Sequence, residues 1–189
     1  MQSLIFDLDG VLVDSDQHHK RTLREAAARF GYSVQDNGTI TTLEKLRAAG
    51  VPEEQIPEIY ALKRSLYDEY VSDVLAPNPE LSILLLRLDK VGYNLAVCSN
   101  SNLTSVRLVL DKIGVAPYIR VVTSASEVKQ GKPDPEVYNL TIARLKTIPA
   151  NVVVFEDSDE GALAAKRAGV CKIIRCTTET IVSEATKWL

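Results

Sequence analysis

The sequence of 189 residues predicts an α/β protein. Its core is a parallel sheet with helices on both faces, and a small all-helical segment is inserted after the first strand. Short apolar runs recur along the chain and are nearly continuous rather than alternating, which is typical of strands buried on both faces. Helical segments separate the later runs, and this alternation favours a doubly wound sheet. Residues 15–79 break the rhythm because they contain no convincing strand.

The predicted strands are brief and partly β-branched, which distinguishes them from the longer helical segments. The first, SLIF, ends directly before an aspartate, and the others follow the inserted segment. Strands are predicted at residues 3–6, 94–98, 119–123, 151–155 and 171–175.

Helices are predicted between the later strands from apolar residues spaced three or four positions apart. Such a pattern spans residues 102–113, and Gly114 follows it as a typical helix stop. The same pattern predicts helices over residues 135–145 and 160–168, the latter closed by Gly169. Strand and helix therefore alternate through this part of the chain.

The inserted segment is predicted to be helical throughout. Residues 52–74 form one or two helices, with a boundary at Pro57 because proline interrupts a helix interior. The sequence thus divides into an α/β core, residues 1–14 and 80–189, and a helical cap, residues 15–79. Helices in and directly after the cap are predicted at residues 18–30, 41–49, 52–74 and 80–91.

Composition and charge exclude several classes of protein. The net charge of −3 leaves no broad basic surface, so nucleic acid is not an expected partner. No apolar run approaches the roughly 18 to 20 residues that a membrane span needs. The first residues lack a basic leader, so a cytoplasmic protein is expected. Three cysteines without a CxxC pair predict neither a disulfide framework nor a zinc site.

Polar residues follow the first four predicted strands at their carboxyl ends, where open α/β sheets bind their ligands. Because neighbouring parallel strands end at one edge, these residues should meet there. Carboxylates packed together repel unless a cation lies among them, and oxygen ligands favour Mg²⁺. A metal facing a lysine suits a phosphate group. The residues concerned are Asp7, Asp9 and Gly10, then Ser99, Asn100 and Ser101, then Lys132, and finally Glu156 and Asp157.

Each of these signals taken alone also has a structural explanation. The DLDG stretch, residues 7–10, fits an ordinary turn after a strand. Ser99 and Asn100 are good residues for capping the next helix, a role that is compatible with anion binding. Glu156 and Asp157 suit the first turn of a helix through its dipole. The functional interpretation depends on all of these signals occurring together at strand ends.

In order along the whole chain, these motifs resemble those of the haloacid dehalogenase-like hydrolases. The stretch DLDGVLVDS spans residues 7–15, and it is followed by Ser99-Asn100, by Lys132 within GKPDP, and by Glu156-Asp157. The helical insertion matches a helical-cap subgroup similar to β-phosphoglucomutase and phosphoglycolate phosphatase. The resemblance implies a Rossmann-like core and a phosphatase that uses Mg²⁺.

The resemblance also implies catalytic roles for individual residues. Asp7 would be the nucleophile that forms an aspartyl-phosphate intermediate, and Lys132 would pair with it. Asp9 would protonate the leaving alcohol and then activate water. Its backbone carbonyl would touch Mg²⁺, and Asp157, supported by Glu156, would complete the metal site together with Asp7.

Substrate contacts are implied in the same way. Ser99 and the amide of Asn100 would bind the phosphoryl oxygens. Gly10 begins the flap that leads into the cap, and Ser15 and His19 match cap-hinge positions that help to place the acid/base aspartate.

Three functions stay open at this point. The resemblance favours a phosphatase that hydrolyses a small phosphorylated metabolite. A hexose-phosphate mutase of the β-phosphoglucomutase kind is the second, although the stretch GTITTLEKL, residues 38–46, lacks the arginine expected of it. A non-catalytic module that binds a phosphometabolite is the third. The presence of Asp9 argues against a true dehalogenase, and the sequence identifies neither the substrate nor the oligomeric state.

Overall fold

A computed structural model describes residues 2–35 and 41–189 of the chain. The chain forms two compact units, which we call the core unit, Met1–Asp14 with Leu75–Leu189, and the helical unit, Ser15–Val74. The second boundary precedes the predicted one at residue 79. The connecting residues belong to the core unit because the Asn78 amide donates to the Ile113 carbonyl at 2.9 Å. That the two units serve as catalytic core and cap stays a prediction.

The core unit contains a five-stranded sheet in which every pair of neighbours is parallel, and this confirms the predicted fold class. The order β3-β2-β1-β4-β5 places the first strand at the centre. The third strand begins two residues later than predicted, after a 3₁₀ helix, Ala116–Tyr118, and the fourth and fifth strands each begin one residue later. The strands are β1 Ser3–Phe6, β2 Asn94–Ser99, β3 Val121–Ser124, β4 Val152–Glu156 and β5 Lys172–Arg175.

A helix is present in every predicted helical segment, and most helix ends differ from the predicted ends by a few residues. Pro57 lies in the first turn of the third helix, where a missing N–H is harmless, so it marks the start of one helix rather than a break between two. The last helix was not predicted, because six residues are too few to show a period. In the described residues the α-helices are α1 Asp16–Arg29, α2 Thr42–Ala48, α3 Ile56–Val74, α4 Pro79–Val91, α5 Leu103–Lys112, α6 Glu136–Arg144, α7 Asp159–Arg167 and α8 Ile181–Thr186.

The register of the sheet brings the predicted site residues to one edge. Phe6, the last residue of β1, lies opposite Val97 of β2 and Phe155 of β4. The rings of Phe6 and Phe155 are stacked with their centroids 4.8 Å apart, and both side chains are fully buried. The next residues along the chain, Asp7 and Glu156, therefore lie side by side at this end of the sheet.

The helical unit has its own apolar core, formed by residues of α1, α2 and α3 together with Val34 and Val51. Its second helix begins with a capping box, in which the Thr41 hydroxyl accepts from the Glu44 amide and the Glu44 carboxylate accepts from the Thr41 amide. Residues 38–40, part of the stretch compared with the mutases, lie outside the described residues. In residues 2–35 and 41–189, no helix is both long and apolar enough to cross a membrane.

We expect the Phe155→Ala variant to lower the free energy of unfolding by about 3–5 kcal/mol, because it leaves a cavity beneath the sheet edge. Urea unfolding followed by circular dichroism measures this change. The Ile83→Ala variant is the control, since Ile83 is 58% exposed on α4 and should shift stability by no more than about 0.5 kcal/mol. Equal losses in the two variants would contradict the expectation.

Candidate active site

A buried ammonium group lies at the centre of the carboxylates that follow the strands. The Nζ atom of Lys132 donates to Asp7 Oδ1 at 2.5 Å, to Glu156 Oε1 at 2.6 Å and to the Cys98 carbonyl at 2.9 Å. An ammonium has three protons to donate, so all of them are used. The three charged side chains are buried. Lys132 thus contacts Asp7, the residue predicted to be the nucleophile.

The loop after β3 carries Lys132, and Asn100 holds that loop in place. The Asn100 Oδ1 atom accepts from the Lys132 amide at 2.8 Å, and its Nδ2 atom donates to the Lys132 carbonyl at 3.1 Å. The loop approaches closely at Gly131, where a Cβ atom would lie 2.6 Å from Asn100 Oδ1. The Asn100 side chain therefore fixes the lysine backbone, while the predicted contact of its amide with phosphate stays a prediction.

Glu156 accepts hydrogen bonds on both carboxylate oxygens. Besides Lys132, its Oε1 atom accepts from the Tyr138 hydroxyl at 3.1 Å, and its Oε2 atom accepts from the Ser158 amide at 3.1 Å and hydroxyl at 2.9 Å. A Cβ atom on Gly161 would lie 1.7 Å from Oε1, so only glycine fits there. The Lys132 Nζ atom also lies 5.0 Å from the centre of the Tyr138 ring. Glu156 is therefore fixed from several sides.

Asp9 lies beside Ser99, the last residue of β2, and Ser101, which follows the strand. Its Oδ2 atom accepts from the Ser101 hydroxyl at 2.8 Å and from the Ser99 hydroxyl at 3.3 Å. Ser99 is fully buried, and its Oγ atom accepts from the Ser101 amide at 2.9 Å. The two serines thus orient the residue predicted to be the general acid.

The loops after β1 and β4 approach each other at Gly10. This residue has a positive φ of 88°, and a Cβ atom on it would lie 2.1 Å from Asp157 Oδ2. Any side chain at this position would push the Asp157 carboxylate away. A glycine is therefore required both by the backbone conformation and by the close approach.

The ionisation of these groups follows from burial and mutual charge. Burial raises the pKa of Asp7 to about 8, because Lys132 only partly offsets the loss of water and Glu156 and Asp9 add repulsion. Burial also raises the pKa of Asp157, with a further contribution from Glu156. The pKa of Glu156 is lowered, since Lys132 and Ser158 together outweigh burial. One buried cation is thus shared among several acids, and a further cation would stabilise their charged forms.

The donor set fits a hard divalent cation. Asp7, Glu156 and Asp157 each offer a carboxylate oxygen, and these atoms lie within 4.8 Å of one another. Oxygen ligands of this kind bind Mg²⁺ or Ca²⁺ in proteins rather than softer metals. The acids open onto one pocket of about 190 Å³, lined by Asp7, Asp9, Asn100, Lys132, Glu156, Asp157, Ser158 and Glu160.

Six of the residues predicted for the site line this pocket, and two others belong to the helical unit. Ser15 is buried and precedes α1. His19 on α1 stacks on the ring of Tyr67 with centroids 4.1 Å apart, and its Nδ1 atom lies 3.1 Å from Lys63 Nζ. These contacts lie within the helical unit, so the roles of Ser15 and His19 in substrate binding stay predictions.

Several residues of the site were given no individual role by the sequence analysis. Ser101 was placed with Ser99 and Asn100 after the second strand, but serine there is equally typical of a helix start. Tyr138 fits the apolar face of α6, so its hydroxyl gave no separate signal. Ser158 and Glu160 follow an acidic pair at the start of α7 and looked like ordinary first-turn residues.

Comparisons with known proteins agree with this geometry. Residues 4–174 match the family model described as haloacid dehalogenase-like hydrolase. A phosphorylated carbohydrates phosphatase from Thermotoga maritima is 32% identical over 187 residues, which cover 92% of this chain and 84% of the relative.

Two solved structures share the fold. The crystal structure of CbbY from Rhodobacter sphaeroides in complex with phosphate superimposes with a TM-score of 0.81 at 22% identity, covering 94% of this chain and 88% of that one. The β-phosphoglucomutase of Clostridium difficile superimposes with a TM-score of 0.78 at 20% identity, covering 100% and 98%. Because the motifs meet at one sheet edge and the family model spans most of the residues, this chain belongs to the haloacid dehalogenase-like hydrolases.

Proposed function

We propose that this protein is a Mg²⁺-dependent phosphatase that hydrolyses a small phosphorylated metabolite through an aspartyl-phosphate intermediate on Asp7. The observation that carries the proposal is the contact between Asp7 and the buried ammonium of Lys132 beside an acidic cluster in one pocket. The name of the Thermotoga relative supports phosphorylated carbohydrates as the substrate class. The helical unit, which is inserted between β1 and α4 in the chain, would select among such substrates.

The residues that would hold Mg²⁺ are Asp7 and Asp157, with Glu156 in support and the backbone carbonyl of Asp9. When bound, the ion would neutralise negative charge on the phosphoryl oxygens and on the carboxylates around it. The oxygen-only donor set and the raised pKa values of Asp7 and Asp157 support a cation at this place.

In the first step, a carboxylate oxygen of Asp7 attacks phosphorus. The bond from phosphorus to the ester oxygen breaks, and Asp9 gives its proton to the leaving alcohol. Lys132 holds the attacking carboxylate in one orientation through its contact with Oδ1. Its positive charge also offsets the charge that builds on the transferred group.

In the second step, Asp9 takes a proton from a water molecule, which attacks the phosphorus of the intermediate. The bond between Asp7 and phosphorus breaks, and inorganic phosphate leaves. Ser101 and Ser99 contact Asp9 Oδ2 and would keep this carboxyl group aimed at the pocket in both steps.

The competing functions differ in the fate of the phosphoryl group. A mutase returns it to the sugar, whereas a binding module never transfers it. A module that only binds has no need for a nucleophile, an acid/base and a lysine in one pocket. The residues that we propose for these roles, Asp7, Asp9 and Lys132, line the same pocket.

We expect the Asp7→Asn variant to lose phosphatase activity by a factor of at least about 10³, because an amide oxygen is a poor nucleophile. The release of inorganic phosphate from a panel of sugar phosphates measures this. The fold should survive, since the asparagine oxygen still accepts from Lys132. The control is Asp111→Asn at an exposed position of α5, which should keep full activity, and a retained turnover in Asp7→Asn would refute the assigned nucleophile.

Removal of divalent metal by EDTA should abolish phosphate release, and added Mg²⁺ should restore it. The physical reason is the crowding of Asp7, Glu156 and Asp157, whose charges no longer have enough counter-charge without the ion. Full activity in excess EDTA would contradict the need for a metal.

With a hexose 1-phosphate as substrate, we expect free phosphate and free sugar in equal amounts. Phosphorus NMR of the reaction mixture separates this outcome from a mutase, which would form the hexose 6-phosphate without net phosphate release. A panel that yields neither product in Mg²⁺ would instead favour the binding module.

A further inference from the structure

We infer that Arg175 is a positioning residue that holds the loop carrying Asp157 and thereby sets the affinity of the active site for its metal ion. The inference rests on the proposed function, since it concerns the metal site of that phosphatase. It assigns a role to a residue outside the motifs of the sequence analysis.

The guanidinium of Arg175 reaches two consecutive carbonyls of the loop after β4. Its Nη2 atom donates to the Asp157 carbonyl, and its Nη1 atom donates to the Ser158 carbonyl. The planar fork of an arginine can span two neighbouring acceptors, which a lysine ammonium cannot do in a fixed geometry. Arg175 lies opposite Glu156 in the register of β5 and β4, so it is directly beside the start of that loop.

The ion pair of Arg175 with Asp159 does not explain the position of the guanidinium group. The two side chains approach to 3.2 Å, but the Asp159 side chain is fully exposed. Exposed pairs of this kind contribute little to stability because water screens them. The two carbonyl contacts, rather than the ion pair, therefore define where the guanidinium lies.

The residues after Arg175 extend the same support to the loop after β1. The Cys176 amide donates to the Glu156 carbonyl at 3.0 Å, and the Thr178 amide donates to the Gly10 carbonyl at 3.0 Å. Residues 175–178 are therefore bonded to both loops that supply the metal-binding acids. The spacing of those loops is tight, since a Cβ atom on Gly10 would lie 2.1 Å from Asp157 Oδ2. A small shift of the Asp157 loop would therefore change the distance between the Asp157 carboxylate and the Gly10 backbone.

A positioning role and a purely electrostatic role of Arg175 predict opposite changes in Mg²⁺ affinity when the residue is replaced. A positive charge beside a site disfavours a bound cation, so charge alone predicts that its removal tightens Mg²⁺ binding. Loss of a positioning contact predicts weaker binding, because outer partners of a metal site typically contribute about 10- to 100-fold to metal affinity or activity. The direction of the change therefore distinguishes the two explanations.

The experiment is calorimetric titration of the full chain with Mg²⁺ in the absence of substrate. We expect Arg175→Met, which keeps most of the aliphatic stem, to bind Mg²⁺ about tenfold more weakly than the natural chain. Arg175→Lys keeps the charge but not the fork, so it should also bind more weakly, by a smaller factor. The matched control is Arg120→Met, which loses a half-exposed ion pair with Asp89 and should keep the natural affinity.

Kinetics give the second readout. The Mg²⁺ concentration for half-maximal activity should rise in Arg175→Met, while kcat at saturating Mg²⁺ and KM for the phosphoester stay close to their natural values. A loss of kcat that excess Mg²⁺ does not restore would indicate general damage to the site and would overturn the inference.

Unchanged or tighter Mg²⁺ binding in Arg175→Met would overturn the role of Arg175 while leaving the proposed function in place. If circular dichroism shows that this variant does not fold, Arg175→Lys decides the question, and a natural affinity in it overturns the inference. A natural chain with neither Mg²⁺ binding nor Mg²⁺-dependent phosphate release would refute the proposed function and this inference together.

Discussion

The buried contact between Lys132 and two carboxylates is the interaction on which the active site depends. Burying the Asp7 and Glu156 carboxylates without a counter-charge would cost several kcal/mol. Removing one member of a buried ion pair strongly destabilises the fold, because the other charge is left without a partner. Lys132 offsets part of this cost while it uses all three of its protons. The pKa of Asp7 nevertheless stays raised, because one ammonium cannot balance the desolvation and repulsion of the whole acidic cluster. The site is therefore built to accept more positive charge, which a metal ion would bring.

The support for this contact comes from backbone groups and short side chains rather than from further charges. Asn100 bonds to both backbone groups of Lys132, and Ser158 bonds twice to Glu156. Glycines at positions 10 and 161 let the carboxylates of Asp157 and Glu156 approach the main chain more closely than any side chain would permit. Neutral hydrogen-bond donors and glycines hold the charged groups in place without adding charge, so they do not increase the repulsion among the carboxylates.

Much of the fold and of the site was predictable because strands and strand ends leave local signals. The continuous apolar runs predicted the five strands, and the rule that parallel strands end at one edge predicted that Asp7, Lys132, Glu156 and Asp157 would meet. The short helix α8 was missed because its six residues leave no measurable period. The contacts of Tyr138 and Arg175 were missed for a different reason. A buried tyrosine and a half-exposed arginine are ordinary residues until their partners are known.

The sequence was enough to predict the strands and the polar residues that follow each of them, since both depend on residue type and on periods of a few positions. The tertiary structure alone decided that Lys132 contacts Asp7 and Glu156 together, that Asp9 turns toward Ser101, and that Arg175 grips the Asp157 loop. These contacts join residues far apart along the chain. Their distances follow from sheet register and loop path, and no local pattern of residues records them.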